Sequence, residues 1–410
     1  MTSEIAVMNQ RAVAMAADSA VTLTDGRKVV VRNEQHKLFQ LVENRPVGVM
    51  IYGVAEIMGH PWDHLFEHFR DRNGNTAPAH LREYGADFTA TLDNLTEFFS
   101  PDHYRHEYRR LFASVCAAIL GLAKTLQQYD GSRDDLAIIE DAIGYIWRDY
   151  QVRPDGTPRP DLACFPPGFA ATVERDYGDV IDELIGYWFT GAGIGQSVLQ
   201  QLRDIAVWCV VKEMFLEDVT GLVFAGFGSQ DRYPAQSTWY VSAIISGIAK
   251  RAEVSHDAIS NENRSSIRTF ADSAVTRAFI LGIDGNLEHY LHAMLGHIMR
   301  AVVGEVVEAF SETDVGTRQR VRDEYQGAVP AYLALFREIT EDYQQQAFVQ
   351  PLLSVLSIAT RADLAQTARE LVSLNAFKKR IMAQHETVGG EIDVAVISRE
   401  GGFQWWPKGS

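Results

Sequence analysis

Three residues near the start of the chain have the side chains of a nucleophilic site: Thr2, Asp18 and Lys37. Thr2 follows the initiator methionine, which methionine aminopeptidase removes when the next residue is small. Thr2 would then carry a hydroxyl and a free α-amine, and an amine with a pKa of about 7.7–8.0 can accept the hydroxyl proton at neutral pH. The ammonium of Lys37 would keep this amine unprotonated, and the Asp18 carboxylate would hold the lysine. Lys28, in the preceding strand, competes with Lys37 for this role.

These residues lie in short apolar or alternating runs that polar turns separate, a pattern typical of consecutive antiparallel strands. The β pattern returns in the middle of the chain and again as a closing hairpin. Apolar residues at three- and four-residue steps predict helices between these strands. The predicted strands are residues 1–7, 13–19, 36–39, 47–53, 221–228, 237–245, 392–397 and 403–406, and the main helices are 62–70, 80–126 (several), 198–215, 287–310 and 364–384.

At these residues the sequence resembles the proteasome β-subunit family, which includes the bacterial proteasome-like heat-shock protease. In that family a mature N-terminal threonine opens the first strand, Ala-Ala-Asp-Ser ends the second, a lysine follows a further hairpin, and a glycine turn precedes the first helix. Thr2, residues 16–19, Lys37 and Tyr52-Gly53 match these features in order. Residues 388–397 resemble the last strand of the family.

The resemblance implies an α+β fold, the four-layer αββα sandwich of N-terminal nucleophile (Ntn) hydrolases. Residues 1–73 and 220–410 would form the core, and residues 74–219 would add a core helix and a mainly helical insertion. This long region exceeds what compact members of the family need between their sheets.

The resemblance also implies a threonine-type endopeptidase. Thr2 would attack the peptide carbonyl, Lys37 would set the pKa of the amine, Asp18 would anchor Lys37, and a backbone N–H at Tyr52 or Gly53 would hold the oxyanion. An apolar pocket would receive the side chain before the scissile bond, although plain core packing competes for two of its members, Phe39 and Met50. The pocket residues implied are Val21, Gln35, Phe39, Met50 and Val54.

One departure from the family pattern favours an inactive, proteasome-like scaffold. The family supports its threonine with the serine of a Gly-Ser-Gly turn, and Ile283 stands in the corresponding turn, Gly282-Ile283-Asp284-Gly285. Many members also carry an aspartate and a serine before the last strand, where this chain has His385, Glu386 and Thr387. His385 or Glu386 with Thr387 would have to substitute.

A zinc metallopeptidase is the other alternative. Residues 64–68 form the pattern His-x-x-Glu-His, and His64 and His68 share one face of a helix. Two such histidines can bind zinc while Glu67 activates a water molecule. No third ligand is evident downstream, so a packed or solvated helix face is the favoured interpretation.

The net charge and the cysteine content limit which partners and compartments fit this chain. The 410 residues carry a formal net charge of −16, which argues against nucleic acid and anionic membranes as partners. The three cysteines have no metal-binding spacing and indicate reduced thiols in a cytoplasm. No metal or other cofactor is expected.

We further expect a cytoplasmic protein, since no signal peptide precedes Thr2 and the longest apolar run, 113–123, is shorter than the roughly 20 residues of a membrane span. Partners come from the resemblance alone. The substrate would be a peptide or an unfolded protein. Further copies of the chain would form a homo-oligomer, with a ring as one arrangement, and an ATP-dependent unfoldase would deliver substrates.

Overall fold

The computed structural model describes residues 3–19, 21–25, 28–32, 36–74, 76–129, 134–190, 193–216, 219–271, 273–309, 315–381 and 391–407. Helices and antiparallel sheets share this part of the chain, so the predicted α+β class is confirmed. The strands are β1 (Ser3–Asn9), β2 (Ala12–Asp18), β3 (Val21–Asp25), β4 (Lys28–Arg32), β5 (Leu38–Gln40), β6 (Val47–Gly53), β7 (Glu56–Ile57), β8 (His60–Pro61), β9 (Thr220–Gly226), β10 (Ala235–Ile245), β11 (Ile248–Ala258), β12 (Ser265–Ala271), β13 (Ile392–Ser398) and β14 (Gly402–Trp405).

The helices alternate with these strands in blocks. A π-helical turn, Gln345–Val349, joins α9 to α10. The helices are α1 (Trp62–Asn73), α2 (Leu81–Ala90), α3 (Pro101–Tyr129), α4 (Asp135–Asp149), α5 (Phe169–Phe189), α6 (Gln196–Val211), α7 (Ala274–Leu281), α8 (Gly285–Ala309), α9 (Val315–Gln344), α10 (Gln350–Ile358) and α11 (Arg361–Ile381).

The chain divides into two compact units. The predicted helical insertion, 74–219, falls inside the second unit, and its boundaries stay a prediction. The first unit comprises Met1–Leu38, Ile259–Ser398 and Gln404–Ser410, and the second comprises Phe39–Ala258 and Arg399–Phe403.

The sheet of the first unit has the order β12-β1-β2-β13-β14. Its β1 and β2 form an antiparallel hairpin in which Glu4 faces Ala17, and β13 continues the sheet with Ile392 opposite Asp18. Both strands of the hairpin are buried along their whole length. Ile5 and other apolar residues on one face of the sheet pack against α10 and α11 in a common core.

The second unit contains a sheet of order β11-β10-β9-β6-β5 and a helical body. Helices α1 and α2 cover the sheet through an aromatic core that includes Trp62, Phe66 and Phe88. Helices α3 to α6 form a separate core, in which Tyr108 and Tyr177 stack with ring centroids 4.4 Å apart.

Among the described residues one helical segment, Pro101–Gln128, has the length and apolar composition of a membrane span. Its residues Tyr108, Phe112 and Cys116 are fully buried in the core that α3 shares with α4, α5 and α6. Packing within the second unit therefore accounts for the apolar residues on this face of the helix.

Candidate functional site

A buried cluster of charged side chains lies in the first unit. The Nζ atom of Lys37 is 2.7 Å from Oδ1 of Asp18 and 3.6 Å from Oε1 of Glu4. The side chains are 5%, 1% and 0% exposed, respectively, so this is an ion-pair network inside the protein. We call Glu4, Asp18 and Lys37 the lysine cluster.

The strands around the cluster fix its members. Asp18 ends β2 and Glu4 lies at the start of β1, so the hairpin brings both carboxylates to one end of the sheet. The backbone N–H of Ser3 donates to Oδ1 of Asp18 at 3.2 Å, the same oxygen that accepts from Lys37. Lys37 is the residue before β5.

The segment that carries Lys37 is held by a contact with the sheet. Nδ1 of His36 lies 2.9 Å from Oδ2 of the buried Asp393, on β13. Asp393 stands opposite Ala17 in the pairing of β13 with β2, one residue from Asp18. The position of Lys37 is therefore set by β13 as well as by its own carboxylate partners.

Electrostatics in the cluster are dominated by burial. Burial raises the pKa of the Asp18 carboxyl, and the nearby Lys37 ammonium and the Ser3 N–H oppose that rise without cancelling it. Among the described residues, Oδ2 of Asp18 and Oγ of Ser19 are buried polar atoms with no hydrogen-bond partner. Buried polar atoms are nearly always paired, so these two atoms mark hydrogen-bonding capacity that the described fold leaves unused.

Of the predicted catalytic residues, the structure thus brings Asp18 and Lys37 together. Thr2 and Gln35 lie outside the described residues, and Val21 begins β3. The roles proposed for these residues stay predictions.

The predicted oxyanion turn belongs to the second unit. Gly53 ends β6 with a φ of +83°, and a Cβ on it would stand 2.2 Å from the carbonyl oxygen of Val219, so only glycine fits there. The ring of Tyr52 lies over Gly221 of β9, where a Cβ would stand 2.0 Å from its Cζ. Gly53 is therefore required by the backbone of this turn, and Gly221 leaves room for the ring of Tyr52.

The other predicted pocket residues of the described chain also lie in the second unit. Met50 is fully buried within β6, and Phe39 packs with its ring 5.1 Å from Phe66. The carbonyl of Val54 accepts hydrogen bonds from Trp62 and Thr220 at 3.1 and 2.7 Å. Core packing, the alternative stated for Phe39 and Met50, describes these contacts, and a pocket role for them stays a prediction.

Sequence reasoning missed Glu4. A signal was present, because a carboxylate two residues after the candidate nucleophile opens an otherwise apolar strand. A charged side chain in a buried strand needs a partner, and Lys37 supplies it.

Sequence reasoning also missed Lys250, a fully buried lysine of β11. Its Nζ donates to the carbonyl oxygens of Cys209 and Met214 at 2.6 and 2.5 Å, near the end of α6, and lies 4.9 Å above the Phe215 ring. Burial lowers the pKa of Lys250 to about 8. It lines a cavity of about 10 Å³, room for one water molecule.

The His-x-x-Glu-His motif lies on α1, and its second histidine has other contacts. Nε2 of His68 is 3.1 Å from Oε1 of Glu97, and the ring of His68 packs edge-on against Phe98. Across the described ranges, no group of three or more His, Cys, Asp or Glu side chains is arranged to hold a metal ion.

The turn without the family's serine forms a helix junction. Gly282 ends α7 with a φ of +75°, and Oδ1 of Asp284 accepts from the backbone N–H of Asn286 at 3.0 Å, which caps α8. The proposed substitutes His385, Glu386 and Thr387 lie outside the described residues.

The fold and site define an α+β protein with a buried acid–base cluster beside its first strand. No family model matches the chain, and no curated protein matches it. A solved structure, the Anbu (Gly-1) mutant from Hyphomicrobium sp. strain MC1, aligns with 100% of this chain and 86% of its own, at 9% identity and a TM-score of 0.29. That likeness is too distant to assign a family.

Proposed function

We propose that the chain is a proteasome-like threonine peptidase whose nucleophile is Thr2 after removal of Met1. The observation that supports this most directly is the shared oxygen of Asp18, which accepts from both Lys37 and the amide of Ser3. Thr2 is bonded to that amide nitrogen, so a buried lysine and the candidate nucleophile are linked through one carboxylate.

In the proposed reaction the α-amine of Thr2 takes the proton of its own hydroxyl as the oxygen attacks a peptide carbonyl. The tetrahedral intermediate collapses to an ester on Thr2, and the departing amine receives the proton. Water, activated by the same α-amine, then hydrolyses the ester. A backbone N–H at Tyr52 or Gly53 would hold the oxyanion.

Within this proposal the lysine cluster tunes the α-amine. In this proposal the Lys37 ammonium lies near the α-amine and would favour its unprotonated form, since a like charge within about 4–6 Å lowers the pKa of an amine. The carboxylates of Asp18 and Glu4, when ionised, would act in the opposite direction and favour the protonated amine. These opposing charge effects set the pKa of the α-amine and so the pH at which the enzyme becomes active. The negative charge of Glu4 would raise that pH.

Fold features support the same proposal. The first strand lies inside a five-stranded antiparallel sheet, with helices against one face and both faces of β1 and β2 buried. A second five-stranded antiparallel sheet carries its own helices. We propose that these elements make the αββα sandwich of Ntn hydrolases, with peptides or unfolded proteins as substrates. The proposal also includes an ATP-driven unfoldase as partner and a homo-oligomer of this chain, with a ring as one arrangement.

The second candidate is an inactive scaffold of the same architecture. Ile283 favours it, because a side chain without a polar atom stands where the family's supporting serine would act.

The deciding experiment compares the wild type with Thr2→Ala and Thr2→Ser. Intact mass first establishes whether Met1 is absent, and a panel of fluorogenic peptides with apolar residues before the cleaved bond measures turnover. A peptidase should lose at least 1000-fold activity in Thr2→Ala and keep part of it in Thr2→Ser. Retained Met1 and no turnover in any form would support the scaffold, while unchanged turnover in Thr2→Ala would assign catalysis to another centre.

A further inference from the structure

We propose that helices α8 and α9 form a docking surface for a second copy of this chain. The two helices pack antiparallel as a hairpin within the first unit: Nε2 of Gln344 lies 3.2 Å from Oε1 of Glu288, and Arg322 lies 3.5 Å from Glu308. A Cβ on Gly296 would stand 3.1 Å from Leu333, so the helices approach closely between these ends.

Helix α8 has apolar residues on two faces. One face packs on α9, with Gly296 and Val307 buried. A second stripe repeats at three- or four-residue steps along most of the helix, and its side chains are 38–51% exposed. The stripe consists of Leu287, Leu291, Met294, Ile298, Val302 and Val306.

Helix α9 adds a matching stripe in its second half. These side chains are 50–64% exposed and include two tyrosines. They belong to the end of the hairpin at which α8 begins, since α9 runs antiparallel to α8. The stripe consists of Tyr332, Leu335, Ile339 and Tyr343.

The exposed apolar area is the size of a stable interface. At about 100 Å² for each of these side chains, the two stripes present on the order of 1,000 Å² per chain, above the roughly 300–600 Å² of the largest patch on a typical monomer. A standard interface buries about 800 Å² per partner, so one further helical surface would cover the stripes.

The hairpin is complementary to itself. At the end away from Tyr332 and Leu335, the two helices leave a groove of about 530 Å³, lined by small apolar side chains that include Val302, Val306 and Val321. Large side chains thus project at one end, and a groove lies at the other. Two hairpins related by a two-fold axis would insert the large residues of each into the groove of the other, the closed arrangement of isologous dimers and four-helix bundles.

Charge favours the same pairing. Arg318 is the charged residue lining the groove, and its Nε is buried without a hydrogen-bond partner among the described residues. The opposite end of α9 carries Glu338, Glu341 and Asp342, all exposed. The two-fold arrangement would bring this acidic end to Arg318.

This inference is independent of the proposed peptidase activity, since none of its residues belongs to the lysine cluster. Sedimentation equilibrium of the full-length chain at about 0.1–50 µM, concentrations that resolve micromolar association, should show a dimer as the smallest associated species. A larger ring would need contacts elsewhere on the chain in addition. The double variant Leu335→Asp/Ile339→Asp removes the projecting residues, and Val306→Trp fills the groove. Each should weaken self-association at least 100-fold, whereas Tyr187→Asp, which changes a still more exposed apolar residue on α5, should leave it unchanged.

Mixing the two variants distinguishes this geometry from a general loss of stability. The groove of the Leu335→Asp/Ile339→Asp chain is intact, and so are the projecting residues of the Val306→Trp chain, so the mixture should form mixed dimers that neither variant forms alone. Circular dichroism and melting temperatures should show that both variants stay folded. If either fails to fold, the milder pair Leu335→Ala and Val302→Leu replaces it.

Two results would overturn the proposal. One is a wild-type chain that stays monomeric over the whole concentration range. If that monomer binds vesicles of phosphatidylcholine and phosphatidylserine, the stripes belong to a lipid-binding surface instead. The other is self-association that neither α8 nor α9 substitutions affect.

Discussion

The protein buries two lysines in different surroundings. Lys37, in the first unit, lies between the carboxylates of Asp18 and Glu4. Lys250, in the second unit, is equally buried, but its described partners are two carbonyl oxygens and the face of Phe215. One lysine is held as half of an ion pair, and the other is held by backbone dipoles near the end of a helix.

The difference shows that burial of a lysine does not by itself identify a reactive site. Lys250 has a structural explanation, because a cation near the C-terminal end of α6 stabilises the last carbonyls of that helix. Lys37 has two buried acidic partners, Asp18 and Glu4, and Oδ2 of Asp18 has no hydrogen-bond partner among the described residues. The two carboxylates beside the lysine distinguish the lysine cluster as the candidate for chemistry.

The largest effect should follow replacement of Lys37. Lys37→Met leaves two buried carboxylates without their cation, which should cost about 3–5 kcal/mol of unfolding free energy and reduce peptide turnover by at least about 1000-fold. Urea titration and peptide hydrolysis measure the two losses. Lys250→Met is the matched control, and its turnover should remain near that of the wild type; equal losses in both variants would contradict the distinction between the lysines.

The next effect concerns the pH dependence of stability. Because the pKa of Lys250 is about 8 in the folded chain against 10.5 as its ordinary value, the unfolded chain binds more protons between those pH values. Stability should therefore rise with pH across this window, by about 3 kcal/mol at most, and the cost is fully present below pH 8. Urea titrations at pH 7.5 and 10 should show the rise in the wild type and a smaller one in Lys250→Met. The same slope in both proteins would show that Lys250 does not titrate as assigned.

Asp18→Asn should have an intermediate effect. It keeps the shape of the side chain and leaves Glu4 to pair with Lys37, so the fold should survive, while turnover should fall by about 100-fold, or about 3 kcal/mol in transition-state stabilisation. Initial rates on one peptide measure this loss. A variant as active as the wild type would remove Asp18 from the site.

Glu4→Gln should give the smallest and most diagnostic change. Removing one negative charge near Lys37 should lower the pKa of the Thr2 α-amine, so the acid limb of the pH–rate profile should move to lower pH by about 1 unit. A profile that does not move, with activity otherwise normal, would assign Glu4 a purely structural role. Ser255→Ala, an exposed change on β11, serves as the control for altered expression or handling.

Much of this architecture follows from local sequence patterns. The alternating and apolar runs near the N-terminus correspond to β1, β2, β5 and β6, and the C-terminal hairpin corresponds to β13 and β14. The helices predicted at 62–70, 287–310 and 364–384 correspond to α1, α8 and α11. Strong periodicity and clear turns mark all of these segments.

Other features depend on contacts between distant segments. Strands β11 and β12 carry charged and polar residues such as Arg251 and Arg268, because they are partly exposed, and this weakens the alternation that identifies a strand. The contact of Glu4 with Lys37 depends on where the segment before β5 lies against the β1–β2 hairpin, and residue spacing alone does not determine that position. The partners of Lys250 come from α6 and the segment after it, some 40 residues earlier in the chain.

The strand pairing also orders events during synthesis. β1 needs β12 and β2 needs β13, whose residue Ile392 pairs with Asp18. At about 5–20 residues per second, a ribosome takes on the order of tens of seconds to deliver β13 after β2. Strands β1 and β2 consequently lack their other sheet partners while the second unit is still being made. In the proposed peptidase this interval would allow methionine aminopeptidase to expose Thr2 before the strands that follow it become enclosed.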